Sequence, residues 1–234
     1  MKRRLLSLLV ALASVTLMAS VASAAGSPYY PMHPYFSVHA GWTWLQDADV
    51  DYDDPTIFDD EIEFDNGYNV GGAFGYDYGL ARLEVELAHR QNDVDKITIN
   101  FDDGTEVFQG DGDFSATNLM LNGYWDLETG SPVVPYLGGG IGIANVSANN
   151  VKFFDPTFGS VRFVDDDDTV FAYQLAAGIA FALAPPLTLD LGYRFFGTSN
   201  PDLEIDPSLR VLGFSDFETE FDSHNVSLGL RMNF

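Results

Sequence analysis

Beyond residue 34 the chain repeatedly alternates apolar and polar positions with a period of two, and shows little of the 3.6-residue periodicity of a helix. Alternating runs cover 35–46, 67–78, 80–92, 114–127, 134–147, 169–182, 187–197 and 223–234, and predict eight strands. Each is close to the ~9–11 residues of a tilted membrane-crossing strand. The joins alternate in length. Asp77-Tyr78-Gly79, Glu128 to Pro132 and Leu183 to Pro186 are tight turns, whereas 47–66, 93–113, 148–168 and 198–222 are long. Short joins at one end and long joins at the other predict an up-and-down antiparallel barrel with eight strands, an even number as in bacterial outer-membrane barrels.

The chemistry of the two faces decides what surrounds the barrel. In the third run Ala81, Leu83, Val85 and Leu87 alternate with Arg82, Glu84 and Glu86, with Arg90 further along the polar face. In the seventh Leu187, Leu189, Leu191, Tyr193 and Phe195 alternate with Thr188, Asp190, Gly192 and Arg194, and the last sets Val226, Leu228, Leu230, Met232 and Phe234 against Asn225, Ser227, Gly229, Arg231 and Asn233. A soluble barrel would turn the large apolar face inward. Here small residues crowd the polar face (Gly71, Ala73, Gly75, Gly138, Gly140, Gly142, Ala176, Gly178), as a narrow interior requires, and the acids gather in the long joins. The expectation is therefore apolar side to lipid and polar side to lumen. Tyr35, Phe36, Trp44, Tyr76, Tyr78, Trp125, Phe181 and Phe234, near run ends, are candidates for interfacial aromatic girdles.

Composition sharpens this picture. A formal net charge of -24 disfavours nucleic acid as a partner, because phosphates are repelled. With no cysteine, disulfides, zinc-thiolate sites and cysteine nucleophiles are excluded. Lys2, Arg3 and Arg4 precede an apolar run from Leu5 to Met18 and the small residues Ala22-Ser23-Ala24, the three-part pattern of a secretory signal peptide. The reading is a cleaved signal at 1–24, a short lead at 25–33 and a barrel domain at 34–234, with cleavage moving the net charge to -27 by loss of those three cations.

Tyr68-Asn69-Val70-Gly71-Gly72, Pro135 to Gly142, Leu189 to Phe195 and Leu228 to Phe234 resemble, in order and spacing, the eight-stranded outer-membrane barrels of the OmpA/OmpX/Opa and surface-antigen, porin-family type. The resemblance implies a Gram-negative outer-membrane protein, with outer-membrane lipid and lipopolysaccharide around it. It also implies that Val226, Leu228, Leu230, Met232 and Phe234 form the sorting signal read by the barrel-assembly machinery. With nothing after Phe234, the cell-wall tether of OmpA is not expected to transfer.

An eight-stranded barrel is just wide enough to be filled by side chains. The inward set Arg82, Glu84, Glu86, Arg90, Tyr124, Asp126, Asp190, Arg194 and Arg231 predicts a polar plug. Strands three and seven lie opposite each other, so Arg194 is placed to reach Glu84 or Glu86; Arg82 with Asp126, and Asp190 with Arg231, share the short-turn rim. A structural network is favoured over an acid/base pair at Glu84 and Glu86. No cofactor is implied. The histidines (His33, His39, His89, His224) are scattered, and His224 and Ser227 fall on opposite faces, which argues against a lipid-facing hydrolase pair and against enzyme activity. Asp47, Asp49 and Asp51 begin like a calcium loop, but Tyr52 stands at its glycine position and Phe58 at its bidentate acid; these acids and Asp165 to Asp168 are read as solvated loop charge, with weak divalent binding kept open. Two functions follow from this architecture: a surface protein presenting acidic loops for envelope structure, adhesion or antigen-like display, with Ile57-Phe58, Phe153-Phe154 and Val211 to Phe214 as candidate contact points for a surface ligand, or a narrow channel for small or hydrophobic solutes.

Overall fold

A computed structural model describes residues 32–46, 48–52, 60–101, 104–155, 159–203, 217–218 and 221–234. Eight strands form the wall: β1 (His33–Leu45), β2 (Gly67–Asp77), β3 (Ala81–Phe101), β4 (Gly104–Asp126), β5 (Val133–Asp155), β6 (Gly159–Ala184), β7 (Leu187–Thr198) and β8 (Ser223–Asn233). Each pairs antiparallel with its sequence neighbour, and β1 pairs with β8 from Tyr35↔Asn233 to Leu45↔Ser223, closing the ring. Closure leaves no unpaired strand edge in the hydrocarbon, where an orphaned backbone group costs several kcal/mol. The three tight turns lie where the pattern placed them. At the first, the N–H of Gly79 donates to Asp77 Oδ1 at 2.7 Å and Gly79 takes φ +95°, a conformation open to glycine.

Face polarity follows the alternation. Leu83, Val85, Leu87, Leu119, Leu121, Ile141, Ile143, Phe171, Leu175, Leu228 and Leu230 face outward and are exposed. Leu87, Leu119, Ile143 and Phe171 stand side by side on β3 to β6. The next outward-facing row is polar: His89, Thr117, Asn145 and Thr169, again in register. Its members satisfy one another, His89 Nδ1 with Thr117 Oγ1 at 2.9 Å and Asn145 Nδ2 with Thr169 Oγ1 at 3.3 Å. The hydrocarbon ends between these rows. Phe36, Trp44, Tyr76, Tyr78, Trp125 and Phe234 are exposed on the outer face, as expected of girdle residues, and Phe181 is half-buried. Tyr35 departs from that expectation. It is fully buried inside the barrel, because successive residues of a strand face opposite sides and Phe36 takes the outward position.

The four central strands run far past the membrane. The stretches 93–113 and 148–168, expected as loops, are strand along most of their length, forming ribbons that continue β3–β4 to Phe101↔Gly104 and β5–β6 to Asp155↔Gly159. Both faces of such a ribbon meet water or a local core, so carboxylates at Asp93, Asp111, Asp165 and Asp167 are compatible with strand, while Val94, Ile97, Phe108, Val151 and Val164 supply the apolar inner side. β1, β2, β7 and β8 stop lower, and the tall wall's inner face is covered by the joining segments. Short strands Asp202–Leu203, Phe217–Glu218, Ala48–Tyr52 and Asp60–Phe64 pair in that order and add to β3 through Ile62↔Ile97. Lys96 ties this cap to the wall with contacts to Asp95 at 2.9 Å and Glu63 at 3.0 Å, whose hydrogen bonds push its pKa well above that of a free lysine. Of the predicted apolar contact points, Ile57-Phe58 and residues 211–214 lie outside the described residues.

The lumen as candidate functional site

The inward positions divide into two layers. In the inner half, three arginines contact three carboxylates, and a fourth carboxylate, Glu84, is held by neutral donors. Arg82 makes a two-pronged contact with Asp126, Nε to Oδ2 at 2.8 Å and Nη2 to Oδ1 at 2.9 Å, bridging adjacent strands β3 and β4. Its guanidinium also lies over the rings of Tyr124 (4.7 Å) and Tyr136 (5.0 Å). Arg194 crosses the lumen from β7 to reach Glu86 Oε2 on β3 at 3.5 Å and donates to Ser227 Oγ at 3.2 Å. Arg231 approaches Asp190 at 3.6 Å, β8 to β7. Each partnership expected from strand parity and ring position is present.

Glu84 is held differently: neutral donors surround it, with the Tyr35 hydroxyl at 2.7 Å, the Tyr124 hydroxyl at 3.0 Å and Asn122 Nδ2 at 3.2 Å. Gln174 of β6 extends the network, donating to Asn122 Oδ1 at 2.6 Å. Tyr35, Asn122, Tyr136 and Gln174 were not among the predicted plug residues, although the inward parity of Asn122, Tyr136 and Gln174 could have found them. Arg90 lacks the carboxylate partner expected of a buried cation: it donates to Asn118 Oδ1 at 3.1 Å and its guanidinium stacks 3.5 Å above Phe196. It marks the boundary between the layers.

Around and above Arg90 much of the interior is apolar, though Thr43, Asn92, Ser223 and Asn225 are also buried on that side. Phe114, Ala116, Met120, Ala144, Val146, Ala148, Ala172 and Phe196 from the wall pack with Ile62, Leu203 and Phe221 from the cap into one buried cluster. Phe196 and Phe221 meet edge to face at 6.2 Å. The strand limits read from the sequence stop short of much of this layer, which is why it was not foreseen.

Glycines make the inner layer possible. A Cβ on Gly138 would overlap the Tyr124 ring, which is already wedged edge-on to Tyr136 at 5.7 Å and beneath Arg82. Gly138→Val should therefore destabilise the barrel by about 1–3 kcal/mol, the usual cost of overpacking. Chemical denaturation in lipid vesicles measures it, and Tyr124→Ala in the same background should recover part of the loss.

Among the described residues no group of three or more metal-ligating side chains converges. Asp165 to Asp168 sit within β6, with Asp165 paired to Arg162 at 3.2 Å and Asp167 accepting from Asn145 at 2.7 Å. His224 faces outward, bonded to the Tyr193 hydroxyl at 2.7 Å, while Ser227 faces the lumen.

A closed eight-stranded ring with a lipid-facing apolar band around a lumen lined by buried charged and polar side chains defines an outer-membrane β-barrel. Residues 7–234 match the outer membrane protein beta-barrel domain, and the chain belongs to that family. It is 30% identical over 168 residues to an uncharacterised protein of Brucella abortus, a match covering 65% of this chain and 56% of that relative's length. Opacity protein opA56 of Neisseria gonorrhoeae is 22% identical over 191 residues, covering 68% of this chain and 75% of the relative. Among solved structures, the outer membrane protein OprG of Pseudomonas aeruginosa superposes with a TM-score of 0.54 at 13% identity over 86% of this chain and 97% of that one, a likeness of fold. The protein is placed in the outer membrane of a Gram-negative cell.

Proposed function

We propose that this barrel is non-enzymatic and non-conducting, and that it serves the envelope and surface contacts through its extracellular ribbons and cap. One observation carries the reading: the inward face is closely packed, with three buried ion pairs in its inner half and an apolar cluster, joined by buried Thr43, Asn92, Ser223 and Asn225, in its outer half. Beside His39, Glu84, Asp190 and Arg231 the inner layer leaves a space of about 30 Å³, roughly one water's share of liquid volume. The separation of His224 from Ser227 supports the absence of hydrolase chemistry. Residues 1–24 would act as the cleaved export signal. Leu228, Leu230, Met232 and Phe234, exposed on the lipid side with Val226 on the same face, would be read by the assembly machinery before lipid and lipopolysaccharide surround the barrel. In planar bilayers the purified protein is expected to give no stable conductance; steady open-channel currents would establish the channel reading instead.

A further inference from the structure

The two ribbons part company. β4 and β5 pair up to Gly110↔Phe153, and beyond that β4 continues only against β3 and β5 only against β6. Among the described residues, the β4 edge from Gly104 to Gln109 and the β5 edge at Phe154 and Asp155 thus face each other without a ladder partner between them. The V so formed encloses a cleft of about 820 Å³ lined by Val107, Phe108, Gln109, Lys152, Phe153 and Phe154, with other neighbours at its ends. Its floor is apolar: Phe108 and Phe153 meet as tilted rings at 5.2 Å and pack on the lumen's outer core. At its lips Val107 and Phe154 are each 61% exposed.

An unpaired strand edge is a template for another strand, and adding an extended peptide to such an edge is a recurrent mode of recognition. Here the β4 edge, Gly104 to Gln109, offers the main template, and Phe154 and Asp155 of β5 flank the other side of an inserted strand. The net charge of the two ribbons that bear the cleft selects the partner. Residues 93–113 and 148–168 together carry twelve acids against three bases, a net charge of -9. Two of those bases are already engaged, Lys96 by Asp95 and Glu63 and Arg162 by Asp165, and the third, Lys152, lines the cleft together with Asp111. Resting on the surface-contact reading above, we propose that this cleft receives an extended segment of a basic partner polypeptide, in which apolar residues alternate with lysine or arginine. The apolar positions seat on Phe108 and Phe153, the backbone pairs with the β4 and β5 edges, and the basic side chains meet the surrounding carboxylates.

The test uses the whole protein in nanodiscs and a ten-residue peptide of alternating valine and lysine, followed by fluorescence anisotropy. Saturable binding is expected, weakening as salt is raised. Methylating alternate peptide amides, which leaves charge unchanged, should weaken it at least tenfold, as should Val107→Ser with Phe154→Ser; the heat-shifted electrophoretic mobility of a folded barrel confirms that the double variant is intact. No binding, or equal binding of the methylated peptide, overturns the proposal. Self-association of the peptide-free protein that the double variant abolishes would assign the cleft to a second copy and overturn it too. The broader reading fails separately, if cells displaying the chain adhere equally well after deletion of residues 94–112 and 150–165; if that deletion abolishes adhesion but the double variant does not, only the cleft assignment is lost.

Discussion

Arg82→Ala should cost about 3–5 kcal/mol of barrel stability, because it strands the Asp126 carboxylate in the lumen without its cation. The pair is almost fully buried, so water cannot take the guanidinium's place, and the same substitution removes the cation resting on Tyr124 and Tyr136. Replacing both members by leucine should cost less than Arg82→Ala alone, since desolvation of two charges is then avoided. Arg162→Ala supplies the contrast. Its partnership with Asp165 has the same nominal chemistry at 3.2 Å, but both side chains are about half exposed, and the expected change is within ~1 kcal/mol. Urea titration in lipid vesicles, read by tryptophan fluorescence, ranks the three variants. An Arg82→Ala protein as stable as wild type would remove the plug from any account of what holds this barrel together.

The second large effect lies on the opposite side of the wall. Leu121→Arg puts a cation on the lipid face, in the row with Val85 and Ile141, and should cost about 2–4 kcal/mol if that row lies near the midplane. Thr117→Arg, four residues outward on the same face and level with His89 and Asn145, should cost about 1 kcal/mol or less, because near the interface a long cationic side chain reaches the headgroups. The gradient between two positions on one strand locates the hydrocarbon boundary. Equal costs at both would contradict the boundary drawn between the Leu119 and Thr117 rows.

The membrane-embedded wall was legible because lipid imposes a strict demand: every outward position from Leu83 to Leu87, or from Leu228 to Phe234, must be apolar, and the alternation survives any local preference. Parity and ring position then carried part of the lumen chemistry, placing Arg194 opposite Glu84 and Glu86 and Arg231 beside Asp190. Above the hydrocarbon that demand lapses. Asp93, Asp111 and Asp165 to Asp168 interrupt the alternation at positions where a ribbon in water tolerates them, and the stretches read as loops. The bulges compounded this: register shifts between Asp93 and Lys96 and between Ala148 and Val151 break the period just where the ribbons begin. Tyr35 was misplaced for a smaller reason. Two adjacent aromatics at a strand end both look interfacial, and composition alone does not say which of them turns inward. Arg90 was read only as an inward residue, and its contacts, the face of Phe196 and Asn118, were not legible because Phe196 belongs to the outer layer.

The unequal height of the wall also has a consequence for distance. From Asn145, level with the edge of the hydrocarbon, β5 continues for ten residues to Asp155. At roughly 3.3 Å per residue that is about 33 Å of strand, against the ~5–7 Å that a headgroup layer occupies on one side of a bilayer. The ribbons therefore stand on one flank of the cylinder as a mast several headgroup layers long. An approaching surface would meet them well before it met lipid, on the flank of β3 to β6, because among the described residues β7, β8, β1 and β2 carry no comparable strand extension.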